Sequence, residues 1–212
     1  MITFAAALKQ CPLVAILRGI EPNEAIEIGG CLVEAGFVLI EVPLNSPDPL
    51  NSISKLAKKF GSHAMIGAGT VLRGDEIETI TNAGGQIIIS PNTNIDVILK
   101  TKSLDLISMP GIATITEAFV ALEAGADALK MFPAEGLSPS VLKAMRAVLP
   151  KNAPVLPVGG IGPNNMREYV TAGAQGFGIG SFLYERGKTT VEVARDANKM
   201  ISAWRTCGEM TR

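Results

Sequence analysis

Histidine, tryptophan, tyrosine and cysteine are scarce in this sequence: 212 residues include one, one, two and three of them, and 19 lysines and arginines are offset by 20 aspartates and glutamates. Each shortage excludes a class of function. A formal net charge of −1 offers no basic field to a polyanion. No basic stripe, aromatic-basic interleaving or recognition-helix pattern is present either, so nucleic acid is not an expected partner. Cys11, Cys31 and Cys207 are too few and too scattered for a disulfide framework or a CxxC metal site. Their odd number fits a reducing compartment and a structural role. His63, in the loop Gly61-Ser62-His63, is the single histidine, so no histidine-rich site forms and no metal or other cofactor is expected. No apolar run approaches the ~20 residues that span a bilayer, and the N-terminus lacks a secretory pattern. The expectation is a cytoplasmic protein with no membrane partner.

What is present is 47% hydrophobic residues, distributed with a rhythm. Short apolar, often β-branched runs alternate with amphipathic segments, the signature of repeated β-α units and a parallel sheet. The runs are Val14 to Leu17, Val38 to Val42, Met65 to Ala68, Gln86 to Ser90, Leu106 to Met109, Ala128 to Met131, Val155 to Val158 and Gly176 to Ile179. They number about eight, which a (β/α)8 TIM barrel requires. Ser46-Pro47 reads as an N-cap and N1 proline ahead of Leu50, Ile53, Leu56, Ala57 and Phe60, and Ser138-Pro139 opens a second helix. Thr114 and Glu117 form a capping box. Gly36, Gly84, Gly125 and Gly173 each close an Ala-Gly pair just before a strand, where a left-handed residue turns helix back into strand. No linker or low-complexity segment interrupts the pattern. The expected fold is therefore α/β, a single (β/α)8 barrel domain over residues 1–212 with tight loops, ending in a frayed tail over Thr206 to Arg212. An open doubly wound sheet is the alternative.

In a barrel, chemistry sits at the C-terminal ends of the strands. The residues there are Arg18, Glu41, Asn45, Thr70, Pro91, Lys130, Phe132, Gly159, Gly160, Gly180 and Ser181. Lys130 stands inside Asp127-Ala128-Leu129-Lys130-Met131-Phe132-Pro133. Burial there would depress its pKa and make an amine able to attack a carbonyl, whereas an alternating strand would point it to solvent. Glu41, within Val38-Leu39-Ile40-Glu41-Val42, is either a carboxyl raised toward useful proton-transfer range or an outward residue. Arg18 suits a carboxylate or a surface ion pair. Gly159-Gly160 and Gly180-Ser181 close the seventh and eighth runs, where barrels bind phosphate. A short helix is expected after Gly180-Ser181, and ordinary tight turns are the plain alternative.

Ala15-Ile16-Leu17-Arg18-Gly19, Ile40-Glu41-Val42-Pro43-Leu44-Asn45-Ser46-Pro47, Ile66-Gly67-Ala68-Gly69-Thr70-Val71, Leu129-Lys130-Met131-Phe132-Pro133 and Val158-Gly159-Gly160 together resemble the 2-keto-3-deoxy-6-phosphogluconate / 6-phosphogalactonate aldolases. The resemblance runs from about residue 10 to residue 205. It implies a class I aldolase, a homotrimer of (β/α) barrels, that cleaves a phosphorylated six-carbon keto acid to pyruvate and glyceraldehyde 3-phosphate. It also implies that Lys130 forms the Schiff base and Glu41 moves protons. Arg18 and Thr70 would hold the carboxylate end, with Pro91 and Phe132 beside the substrate, while Gly159, Gly160, Gly180 and Ser181 cradle the phosphate. Asn45 and Val158 replace an arginine and a threonine common in the phosphogluconate enzymes and resemble the phosphogalactonate type. A phosphogluconate or dual-epimer aldolase is the alternative, and a non-catalytic sugar-phosphate-binding barrel is a further one. A phosphoribosyl isomerase or synthase would share the glycine pairs without needing Lys130.

Overall fold

The computed structural model describes residues 2–209. In chain order its elements are α1 (Phe4–Gln10), β1 (Leu13–Ile16), α2 (Ala25–Ala35), β2 (Leu39–Pro43), α3 (Pro49–Phe60), β3 (Met65–Gly69), α4 (Ile77–Asn82), β4 (Ile87–Ile89) and α5 (Ile95–Ser103). They continue with β5 (Ile107–Met109), β6 (Gly111–Ile112), α6 (Ile115–Glu123), β7 (Leu129–Met131), α7 (Pro139–Arg146), β8 (Val155–Pro157), α8 (Met166–Thr171), β9 (Phe177–Ile179) and α9 (Thr190–Glu209). All strand pairs are parallel. One ladder runs β5-β4-β3-β2-β1-β9 and a second β6-β7-β8. A single bridge, Val158 to Gly178, joins them among the described residues.

The first strand pairs with the last, and neighbours otherwise follow chain order, so the central reversal of a doubly wound sheet is absent. The structure is an α/β parallel-sheet arrangement with helices between the strands. The expected closed ring of eight strands is met only in part, because the hydrogen bonding resolves into two ladders. One cause is Pro110, which separates β5 from β6 and has no N–H to donate. β5 pairs with β4, β6 pairs with β7, and the Pro110 carbonyl still accepts from Lys130 N–H at 2.9 Å. Gly111 follows because a β-carbon there would stand 2.8 Å from the Asn92 nitrogen.

Strand interiors are buried on both faces, which is why the sequence shows apolar runs instead of alternation. Helices supply the covering layer through stripes such as Ile53 and Leu56 of α3, or Leu142 and Met145 of α7. At the far end Phe177 of β9 meets Tyr169 and Trp204 edge-on, at 6.4 and 6.2 Å between ring centroids, docking α8 and α9. The capping box at Thr114 and Glu117 forms as the sequence predicts, with Glu117 N–H donating to Thr114 Oγ1 at 3.2 Å. Gly36, Gly84, Gly125 and Gly173 all have positive φ, between 92° and 109°.

Three expectations need correction. The helix expected to open at Ser46-Pro47 begins at Pro49 with Asp48 as its N-cap, because the Ser46 hydroxyl is engaged elsewhere, accepting from Gly19 N–H at 2.9 Å. Gly180-Ser181 leads into a turn over residues 181–183, and the next helix starts only at Thr190. Thr206 to Glu209 are helical, with Thr206 Oγ1 donating to the Ser202 carbonyl at 3.1 Å. The rest of the predicted tail, Met210 to Arg212, lies outside the described residues.

Candidate active site

Lys130 and Glu41 lie on different ladders, on β7 and β2, and both side chains point inward: Lys130 is 3% and Glu41 1% exposed. The outward readings of both residues are therefore excluded. The parallel register sets Glu41 opposite Gly67 of β3, and the carboxylate reaches along to Gly69. A β-carbon on Gly69 would stand 2.5 Å from Glu41 Cδ, so the glycine makes the space the acid occupies. Glu41 Oε2 is buried with no hydrogen-bond partner, which marks a carboxyl whose solvation is not completed by the protein alone.

Burial sets the electrostatics. It pushes the Glu41 carboxyl above the usual carboxylate range, opposed by the positive charges of Lys130 and Arg18. It holds the Lys130 ammonium below its usual range, opposed by Glu41 and assisted by Arg18. Phe132, two residues on, places its ring centroid 5.1 Å from Lys130 Nζ and supplies apolar wall. The pair thus tends toward a neutral amine beside a protonatable acid, which is the starting state for nucleophilic attack on a ketone.

A cleft of about 360 Å³ is lined by Phe132 and Arg18, while Lys130 and Glu41 themselves do not line it. Of the residues expected at the site, Arg18, Phe132, Val158, Gly159, Gly160, Gly180 and Ser181 line it. Arg18 leaves β1 next to Glu41, since Leu17 N–H donates to the Glu41 carbonyl at 3.0 Å. Arg18 Nη1 donates to Asn45 Oδ1 at 2.8 Å, and it has no ion-pair partner among the described residues. Asn45 is outside the cleft and touches it through Arg18. Thr70, left-handed at φ 56°, follows Gly69 and does not line the cleft; nor does Pro91, after β4, which packs against Gly111. Gly159 and Gly160 have φ of 108° and 62°, left-handed values that favour glycine. His63 is exposed beside Ser62 and Cys11 is buried, and neither lines the cleft.

Sequence reasoning missed Glu135, Tyr184 and Arg186 in the cleft wall. Glu135 approaches the glycine pair, its Cδ 3.0 Å from where a β-carbon of Gly159 would be. Its place directly after Lys130-Met131-Phe132-Pro133-Ala134 was a readable signal. Tyr184 donates to Glu24 Oε1 at 2.6 Å and Arg186 pairs with Glu21 at 2.9 Å, tying the segment after β9 to the loop after β1. Those contacts are made across 160 residues of chain and leave no local signature.

Comparison with known proteins places the chain in a family. The family model described as "Aldolase: KDPG and KHG aldolase" matches residues 4–199. The 2-dehydro-3-deoxy-6-phosphogalactonate aldolase of Escherichia coli (strain K12) is 43% identical over 194 residues, covering 92% of this chain and 95% of that protein. The KHG/KDPG aldolase of the same organism is 32% identical over 162 residues, covering 75% and 74% respectively. A solved structure described as "Native KDPGal structure" superposes with a TM-score of 0.93 at 42% identity, covering 94% of this chain and 97% of that one.

Proposed function

This chain belongs to the KDPG and KHG aldolase family and is a carbon–carbon lyase, and we propose that it is a class I enzyme cleaving 2-dehydro-3-deoxy-6-phosphogalactonate to pyruvate and D-glyceraldehyde 3-phosphate. The observation that carries the reading is the buried amine of Lys130, depressed in pKa, in the electrostatic field of a carboxyl raised in pKa, Glu41.

Neutral Lys130 attacks carbon 2 of the keto acid, and the carbinolamine loses water to give a protonated imine. The electrons of the bond between carbons 3 and 4 then flow into the imine, leaving an enamine on carbon 3. The proton of the carbon 4 hydroxyl passes to Glu41 through a water, and carbon 4 departs as the aldehyde. Protonation of carbon 3 and hydrolysis of the pyruvyl imine return free Lys130. Arg18 holds the substrate carboxylate with Thr70 near it, fixing carbon 2 within reach of the amine. Gly159, Gly160, Gly180 and Ser181 receive the phosphate, and Phe132 keeps the amine dry.

The galactonate epimer is favoured by Val158, whose buried side chain offers the cleft no hydroxyl for carbon 4, and by Asn45, which accepts from Arg18 in place of a second cation. The phosphogluconate substrate, or both epimers, is the second reading. A non-catalytic sensor would have no use for a buried lysine whose ammonium makes no hydrogen bond or ion pair among the described residues and lies 5.1 Å from the Phe132 ring centroid. We also read the two ladders as arcs of one eight-stranded barrel domain, since β1 pairs with β9 and β5 and β6 form one strand broken at Pro110. A cytoplasmic homotrimer completes the reading and rests on family likeness.

Reduction with borohydride in the presence of pyruvate tests the chemistry: one pyruvyl adduct on Lys130 is expected, and an adduct elsewhere or none overturns it. Pyruvate release from each epimer tests the substrate, and a preference for the gluconate epimer overturns that part.

A further inference from the structure

We infer that Lys188, outside the cleft, is a positioning residue for the phosphate end of the substrate, acting through the turn that carries Gly180 and Ser181. The inference rests on the reading of those residues as the phosphate site. Residues 180–189 link β9 to α9 without regular structure beyond turns. The Gly180 carbonyl accepts from Leu183 N–H at 2.8 Å and from Tyr184 N–H at 3.0 Å, which closes the turn from within. Its outer side is held by a single ammonium: Lys188 Nζ donates to the Phe182 carbonyl at 2.6 Å, to the Ser181 carbonyl at 3.4 Å and to Asp196 Oδ2 at 3.1 Å. The carbonyls of Ser181 and Phe182 are thereby held by a residue that does not line the cleft, while Gly180 and Ser181 do.

The anchor itself is rigid. Asp196 is 5% exposed on α9, and hydrogen bonds from Arg195 and then Lys188 hold its carboxyl down at about 2, so it stays ionised throughout the working range. Gly180 adds an independent indication that the turn faces a ligand. Its φ is not positive, and a β-carbon on it would meet nothing within 4 Å. Neither backbone conformation nor packing calls for glycine there, whereas close approach of a bound group does. Lys188 fixes the geometry of that approach without touching the bound group.

The test compares wild type, Lys188→Met, Lys188→Arg and Arg195→Met on the phosphorylated keto acid and on its unphosphorylated analogue. Lys188→Met should raise KM for the phosphorylated substrate about tenfold, as expected for loss of charge-assisted hydrogen bonds, with kcat and the rate of pyruvate trapping kept within about twofold. Competitive inhibition by inorganic phosphate should weaken in parallel, while kcat/KM for the unphosphorylated analogue stays put. Lys188→Arg should restore most of the KM. Arg195→Met, which removes another partner of Asp196 but no contact to the turn, should leave KM unchanged. An unchanged KM in Lys188→Met, an equal loss on both substrates, or the same loss in Arg195→Met overturns the inference. A wild-type protein that ignores the phosphate, with no discrimination between the two substrates and no inhibition by phosphate, overturns the site itself.

Discussion

Substituting Gly69 by alanine should disable the proton carrier without altering any residue that bears chemistry. The added β-carbon would lie 2.5 Å from Glu41 Cδ, against an ordinary contact of 3.4–4 Å. The carboxyl must then withdraw by about 1 Å, and a displacement of that size in a catalytic group costs roughly 10²-fold in rate. Complete loss of general acid–base catalysis costs about 10² to 10⁴-fold, so the variant should approach Glu41→Gln without reaching it. Alanine suits the backbone, because Gly69 ends a strand and has no positive φ. Overpacking a closed core adds about 1 to 3 kcal/mol of destabilisation. The assay is kcat for aldol cleavage beside borohydride trapping of pyruvate at long times. Cleavage should fall about a hundredfold, a pyruvyl adduct should still form on Lys130, and the double variant Gly69→Ala/Glu41→Gln should be no slower than Glu41→Gln alone. Cleavage within a few-fold of wild type in a folded Gly69→Ala protein would refute the placement of Glu41 as proton carrier.

Lys130→Met should abolish activity and raise the melting temperature, since it removes an amine buried at some cost, about 1 to 3 kcal/mol or roughly 2–4 °C per kcal/mol for a chain of this size; a lower Tm would contradict the burial argument. Because Lys130 has a depressed pKa, the stability linked to it is complete above its ordinary value of 10.5 and is lost as pH falls through the depressed value, while the opposite shift of Glu41 loses stability as pH rises. The rate of pyruvate trapping should accordingly rise with pH and level off below 10.5, and Glu41→Gln should move that midpoint lower by removing the charge that raises it; an upward move would refute the coupling. Val158→Thr should shift preference toward the gluconate epimer by roughly tenfold, a differential hydrogen bond of about 1.4 kcal/mol, and an unchanged ratio of kcat/KM would show that residue 158 does not read carbon 4. Turnover should survive EDTA, because the imine is its own electron sink; restoration of a chelated, inactive enzyme by a divalent ion would point to another mechanism.

The strands were legible because each is buried on both faces and so leaves an unbroken apolar run; β3, predicted over Met65 to Ala68, ends one residue later at Gly69. The αβ glycines were equally plain, since only a left-handed residue turns the chain there. The two residues on which the proposed mechanism turns, Lys130 and Glu41, were legible because each is a charged residue interrupting such a run. What escaped depends on partners distant in sequence. Ser46 looked like a helix cap until the Gly19 N–H claimed its hydroxyl. Pro110 sits just past a predicted strand, and only the pairing of Gly111 with Lys130 shows that the strand continues. Tyr184 and Arg186 belong to a loop whose course is set by distant contacts and not by local pattern.

Val158 has a second allegiance. Among the described residues it forms the one β-bridge between the two ladders, its N–H donates to the Met131 carbonyl at 2.9 Å, and its side chain packs where a β-carbon on Gly178 would stand 2.7 Å from Cγ2. Lys130 travels with the smaller ladder and Glu41 with the larger, so the residue proposed to read the substrate also sits where the ladders carrying the proposed nucleophile and acid meet. Under the proposed reading, a smaller residue at 158 that widened the substrate range would also loosen the packing against Gly178.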